Sequence, residues 1–235
     1  MNMHGRPNFR TLALDTSTPR GSVALLDGND LVAEVRLKSL ETHSARLLRS
    51  VEFLLDSAQW TLGNVDLIAA GIGPGSFTGI RIGIATAMGL AQPMGIPFAG
   101  VSGLDALAGQ IAFLAGSIGV VMDAQRAQVY YAEYISDGVK IRKTVKPEVL
   151  NPFELELRLQ KRHLYIIVDR DLRCCERLFR PGRGWPRAIA GDLFLASAIG
   201  SLAFRKRRYW KSGDYLTAEP LYIRPPDALR AKHRK

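Results

Sequence analysis

The stretch from Gly71 to Gly83, G-I-G-P-G-S-F-T-G-I-R-I-G, decides how this chain is read. An apolar run, Val65 to Ile72, drives straight into a glycine–proline turn, and a helical period begins within a few residues. That is a strand–turn–helix junction, where glycine lets backbone come close to something. Two readings are open: an anion held on the free N–H groups of the helix start, or a tight turn that lays a helix on a sheet. Working outward, the helix predicted over Phe77 to Gln92 carries Ile80, Ile84, Ala87 and Ala91 on one face. Gly79, Gly83, Thr86 and Leu90 form a second face, and Ile82, Ala85 and Gly89 a third. Nearly the whole circumference is apolar or tiny, so the helix should be covered on most sides. Each interior glycine costs about 1 kcal/mol relative to alanine in an exposed helix. Close approach of another helix is the simplest reason for them.

Upstream, Leu47, Leu48, Val51, Leu54, Leu55 and Ala58 make the apolar stripe of a helix predicted over Ser44 to Gln59. Phe53 lies on its opposite face. Half of a chain this size cannot easily bury both helices on every side, so they are expected to dock on another subunit. The competing reading is that the chain's own second domain covers them.

The layout repeats. Strands Thr11–Leu14, Ser22–Leu26 and Leu31–Leu37 form one β-meander; Ile118–Met122, Gln128–Ile135 and Val139–Val145 form another. Strand Val65–Ile72 and helix Phe77–Gln92 complete the first half. Helix Leu104–Leu114 bridges to the second, where a short helix opened by Asn151-Pro152, strand Leu164–Val168 and helix Asp192–Arg205 follow. Strand-strand-strand-helix-strand-helix, twice, is an internal duplication. It is the plan of the α/β actin/sugar-kinase/Hsp70 superfold, here two βββαβα subdomains over 9–103 and 104–225, with a basic tail at 226–235. In that fold the first hairpin of each half, following an Asp, faces phosphates; Asp15 with Thr16 and Ser17, and Asp123, hold those places as a vestigial phosphate-binding set. The turn Ala124-Gln125-Arg126-Ala127 has no glycine, which under-supports a nucleotide site.

Positive charge is uneven. Residues 1–117 hold 8 Lys/Arg against 9 Asp/Glu, and residues 118–235 hold 24 against 13, for a total of +10. Dense spots fall at Arg205-Lys206-Arg207-Arg208 and from Arg230 to Lys235. A phosphate-bearing partner is one reading; a solvated helix end and a soluble tail are the other. Tyr209 and Trp210 beside the first cluster favour nucleic acid slightly, since rings stack on bases. The longest apolar run, Ile111 to Met122, is too short to span a membrane. Met1 to Arg10 lacks the apolar centre of a secretory signal. Adjacent Cys174 and Cys175 are poorly placed to bond each other, so a reducing, cytoplasmic setting fits best.

Catalytic patterns are missing. His4, His43, His163 and His233 have no helical partner for zinc, and Ser76 does not sit in G-x-S-x-G. The acids Asp15, Asp66, Asp105 and Asp123 are scattered. The chain is therefore expected to be no enzyme on its own. The rival expectation is a small ATP-dependent kinase or ATPase using Asp15 and Asp123.

The chain resembles the TsaB (YeaZ) family, the non-catalytic dimerisation subunit of bacterial tRNA threonylcarbamoyladenosine biosynthesis. The resemblance rests on L-A-L-D-T-S-T-P-R-G-S-V-A-L-L from Leu12, H-S-A-R-L-L from His43 and G-P-G-S-F-T-G-I-R-I-G from Gly73. It continues with G-I-P-F-A-G-V-S-G-L-D-A-L-A from Gly95, V-M-D-A-Q-R-A-Q-V-Y-Y-A from Val121 and P-L-Y-I-R-P-P-D-A from Pro220. Residues 139–215 match loosely, and the Asp123 turn lacks a glycine common after the Arg. The resemblance implies pairing with the catalytic paralogue TsaD through helices 44–59 and 77–92, with an ATPase, TsaE, joining them and tRNA bound by the complex. It implies an interface of His43, Leu47, Leu48, Val51, Phe53, Gly79, Ile82, Gly83, Thr86, Gly89 and Leu90. It implies no metal and no cofactor required by this chain, with ATP or ADP placed at the complex interface. A surface built for a paralogue can also meet a second copy of itself. The family's older glycoprotease-like (peptidase M22) label does not suit a chain without zinc ligands.

Overall fold

A computed structural model describes residues 9–38, 43–160, 165–169, 172–179, 188–211 and 219–223. The first half supplies β1 (Arg10–Asp15), β2 (Arg20–Asp27), β3 (Asp30–Lys38), α1 (His43–Ser57), β4 (Leu67–Gly71), α2 (Phe77–Met94) and β5 (Phe98–Val101). The second supplies α3 (Gly103–Gln110), β6 (Gly116–Asp123), β7 (Val129–Ser136), β8 (Ile141–Leu150), α4 (Pro152–Leu159), β9 (Tyr165–Asp169), β10 (Ala188–Gly191) and α5 (Ala196–Arg205). The strand orders, β3-β2-β1-β4-β5 and β10-β9-β6-β7-β8, are the same plan used twice. Each has an antiparallel meander, β1 to β3 or β6 to β8, extended by two parallel strands.

The fifth strands, β5 and β10, are additions to the expected βββαβα. Each is four residues long, β5 following Pro97 and β10 ending on Gly191, so neither has a period to read. Two predicted helices come out shorter. The one expected over 104–114 ends at Gln110 and continues as single turns, Ile111 N–H to Ala108 O (3.3 Å) and Leu114 N–H to Ile111 O (3.0 Å). The one expected from Asp192 starts at Ala196, because the Asp192 backbone is clamped at both ends by the Gln110 amide (2.6 and 3.0 Å). The basic tail at 226–235 lies outside the described residues, as do Leu164 and most of the connection between β9 and β10.

The residues divide into two compact units. One draws on Met1–Ile72, Thr78–Val101 and Phe194–Glu219, the other on Gly73–Phe77, Ser102–Leu193 and Pro220–Lys235. The boundary expected at 103/104 follows the chain, whereas the units interleave, and α5 packs on the first sheet. Alternation along the strands explains why there is room for it. Leu12, Leu14, Val23 and Leu25 point to the side where α1 and α2 close the core. Ala13 and Leu26 point the other way, against Gly200 of α5, where a Cβ would run into Leu26. Ser22 of β2 accepts the N–H of Ala196 (3.0 Å), so a buried hydroxyl caps the helix from across the chain.

In the second unit, Val121, Tyr131, Ile166 and Val168 pack with Leu155 and Leu159 of α4. Asn151 and Glu154 form a reciprocal capping box (2.9 and 2.8 Å) with Pro152 behind it, so α4 starts where the sequence signals. Leu107 of α3 fills the place of a side chain at Gly191, whose Cβ would lie 2.8 Å from Leu107 Cδ2.

Candidate partner-binding surface

α1 sets Leu47, Val51 and Leu54 into the first unit's core at a helical spacing. It carries neither acids in its first turn nor bases in its last, so packing rather than the helix dipole holds it. Gln59, with φ of 54°, closes it as a glycine would, and Trp60 N–H reaches back to Leu55 O (2.9 Å). Leu48 stays 45% exposed and Phe53 62% exposed. Five residues apart, they project roughly 140° apart on a helix, so they do not share a surface. Phe53 instead lines a shallow concavity of about 310 Å³ with Val35 and Leu37 of β3 and Arg46, Arg49 and Ser50 of α1. The side chain of His43, at the start of α1, lies outside the described residues.

α2 is two-sided. Gly79, Ile80, Gly83, Ile84, Ala87 and Ala91 are buried. Ile82, Thr86 and Leu90 are half-buried, and Ala85 and Gly89 are exposed. A Cβ at Gly89 would meet nothing within 4 Å. One at Gly83 would stand 2.6 Å from Thr16 Oγ1, and that hydroxyl donates to Gly79 O (2.7 Å). Four residues expected at the interface are therefore interior residues of this unit: Leu47, Val51, Gly79 and Gly83. Gly83 admits the chain's own β1–β2 turn, which the Thr16 hydroxyl ties to Gly79 O, not another helix. What remains outward is Ile82, Ala85, Thr86, Gly89 and Leu90, with Leu48 on α1. Ala85 was missing from the expected set, although it lies three and four residues from Ile82 and Gly89.

The β1–β2 turn behind α2 is closed. Asp15, Thr16 and Ser17 are all buried. Asp15 Oδ1 accepts the Ser17 N–H (3.2 Å), and a Cβ on Gly71 would run into that oxygen. Oδ2 and the Ser17 hydroxyl have no hydrogen-bond partner; the hydroxyl approaches the carboxylate without reaching hydrogen-bond geometry. Burial raises the Asp15 carboxyl from 3.8 to about 6, against the smaller opposing pull of Ser17 and of the Thr16 N–H. A nucleotide phosphate does not fit this turn: the Thr16 hydroxyl is spent on Gly79, the Ser17 hydroxyl is sealed inside, and the carboxyl repels an anion. The vestigial phosphate-binding reading of Asp15, Thr16 and Ser17 gives way to a packing role.

In the second unit, Asp123 closes on its own loop. It accepts the Gln125 N–H (2.8 Å) on one oxygen and the Gln125 side-chain amide (3.0 Å) on the other. Gln125, Arg126 and Ala127 run through φ of 61°, 55° and 54°, a left-handed turn that costs roughly 1–2 kcal/mol per non-glycine residue. Asp105 is likewise occupied, accepting the Tyr134 hydroxyl (2.7 Å) and pairing with Lys143 (2.8 Å). Burial pushes the Cys175 thiol up to about 12, far from a nucleophile's range. Among the described residues no three His, Cys, Asp or Glu side chains gather as a metal site, and no helix is long and apolar enough to cross a membrane.

A meander extended by two parallel strands, present twice, defines a duplicated α/β protein of the actin/sugar-kinase/Hsp70 type. Comparison with known proteins narrows this. The model of the tRNA N6-adenosine threonylcarbamoyltransferase (TsaD) family matches residues 37–167, more than half of the chain. The tRNA threonylcarbamoyladenosine biosynthesis protein TsaB of Haemophilus influenzae is 29% identical over 92% of this chain and 94% of its own. An uncharacterized protein of Mycobacterium tuberculosis is 39% identical over 59% of this chain, a match that spans 63% of that protein's length. Among solved structures, an uncharacterized Pseudomonas aeruginosa protein with similarity to peptidase YeaZ superposes with a TM-score of 0.76, at 31% identity, covering 92% of this chain and 100% of that one. The chain belongs to the tRNA N6-adenosine threonylcarbamoyltransferase family, on its TsaB (YeaZ) branch.

Proposed function

We propose that this chain serves tRNA threonylcarbamoyladenosine biosynthesis as a non-catalytic subunit that pairs with the catalytic paralogue TsaD, with TsaE joining the pair. The observation that carries this is the outward stripe of α2. Ile82, Ala85, Thr86 and Gly89 are small or apolar, and Gly89 faces open space. An exposed glycine inside a helix costs about 1 kcal/mol, so a use for it is required. Close approach of a partner helix supplies one, and smallness rather than charge is what such a contact selects. A related catalytic chain has the same two-unit plan and so offers a matching helix pair. The kinase or ATPase alternative loses its support where the Asp15 turn closes on itself.

Co-purification tests the proposal. Gly89→Trp is expected to abolish capture of TsaD while the chain melts within a few degrees of wild type. If Gly89→Trp retains TsaD at wild-type yield, α2 is not the docking surface. In the assembled system, threonylcarbamoyl transfer to the adenosine 3′ of the anticodon should fall with capture. Turnover of ATP by the isolated chain would instead restore the enzyme reading.

A further inference from the structure

We infer that the end of α5 and the turn after it form an RNA-binding patch, in which Lys206, Arg208 and Lys211 meet phosphates and Tyr209 stacks on a base. The inference rests on the tRNA reading above and adds to it a site on this chain. The segment Arg205 to Lys211 reads R-K-R-R-Y-W-K. It is a fastened turn, not a loose end. Tyr209 N–H donates to Lys206 O (2.9 Å), and the Trp210 indole donates to Ala203 O (3.1 Å). Arg207 folds inward, its guanidinium 4.2 Å from the Phe204 ring and 5.8 Å from Phe9, with a hydrogen bond to Phe204 O (3.1 Å).

With Arg207 turned in, its neighbours turn out. Lys206, Arg208 and Lys211 are exposed, and no ion pair engages them among the described residues. Tyr209 is 79% exposed, the most open of the large hydrophobic side chains among the described residues. An aromatic ring left in water forfeits a large burial, and one set among exposed cations has the make-up of a stacking platform with phosphate contacts. The helix dipole accounts for cations at Arg205, in the last turn of α5, and at Lys206, its C-cap. It does not account for Arg208, Tyr209 and Lys211, which lie beyond the helix. Gly28 of the β2–β3 turn, flanked by Asp27 and Asp30, lies beside Phe204 at the end of α5.

RNA is favoured over an anionic membrane by the helix itself. A membrane-surface helix presents an apolar face to the lipid. No apolar side chain of α5 is fully exposed for insertion: Ala196, Ile199 and Ala203 are buried on the first sheet, Leu202 is half-buried, and Phe204 packs against Phe9 and Arg207.

Binding of the full-length chain to unmodified tRNA, followed by fluorescence anisotropy across a KCl series, tests the patch. The variant Lys206→Gln/Arg208→Gln/Lys211→Gln should lower the slope of log affinity against log salt by about 2 to 3 and weaken binding by roughly tenfold or more. Tyr209→Ala should weaken binding roughly fivefold or more, and Tyr209→Phe should restore it to within about twofold. Unchanged melting temperatures confirm that these surface variants fold. The patch is refuted if the triple variant or Tyr209→Ala binds like wild type, or if wild type shows no tRNA binding at low salt. It is equally refuted if the variants lose phosphatidylserine vesicles but keep tRNA. TsaD capture, run alongside, separates the two ideas. Lost tRNA binding with intact capture supports both, intact tRNA binding with intact capture removes the patch alone, and a wild-type chain that never captures TsaD removes the functional reading alone.

Discussion

Gly83 and Gly89 stand six residues apart in the same helix and exist for opposite reasons. A Cβ at Gly83 would press on Thr16 Oγ1 at 2.6 Å, while one at Gly89 would touch nothing. The inner face of α2 is built around its own β1–β2 turn, and the outer face, on the function proposed above, is left for a partner helix. A glycine count cannot tell these apart; what fills the space beside each one can.

The same substitution on the two faces should therefore have opposite effects. Gly83→Leu is expected to cost about 4 kcal/mol, since it forces atoms into a turn tied to Gly79; chemical denaturation measures this, and a loss below about 1 kcal/mol breaks the comparison. Next in size is the turn itself. Burial raises the Asp15 carboxyl to about 6, so the folded chain holds a proton that the unfolded chain releases nearer 3.8. Native proton uptake exceeds that of the unfolded state between these values. This group's contribution is thus fully present below about pH 4 and lost as pH rises through 6, by about 3 kcal/mol. Asp15→Asn should flatten that slope and be more stable than wild type at pH 8; an unchanged slope means that Asp15 is not sealed. Asn151→Ala, far along the chain in the second unit, removes a cap and should cost about 1 kcal/mol. It sets the scale of an ordinary local contact against which the turn is judged. The smallest effect is at the outer face. Gly89→Leu should stabilise the isolated chain by up to about 1 kcal/mol through helix propensity, and destabilisation would mean the chain already covers that face.

Much of the frame was legible because it repeats with a period. Both meanders and α1, α2 and α4 follow from alternation, stripes and caps, and Asn151-Pro152 marks the start of α4 to the residue. β5 and β10 were not legible, because four residues, after Pro97 in one and ending on Gly191 in the other, show no alternation. Nor was the seat of α5, which depends on small residues such as Ala13 leaving space on the first sheet. The surface was half legible. The periodicity of α2 announces an all-round small and apolar helix, yet it does not say which neighbour each face meets. Periodicity alone therefore places Gly79 and Gly83 outward, where the fold sets Thr16 against them, and does not single out the exposed Ala85. Leu47 and Val51 share the stripe of Leu48, and a stripe wider than the sheet can cover leaves its margin exposed. The buried state of Asp15 depends on Gly71, far along the chain but adjacent through the parallel pairing of β1 with β4.

The measurement closest to the central claim is photocrosslinking from the outer face of α2 in the assembled complex. A benzophenone side chain placed at Ala85 is predicted to capture TsaD. A complex that forms at full yield with no crosslink from position 85 would contradict the account.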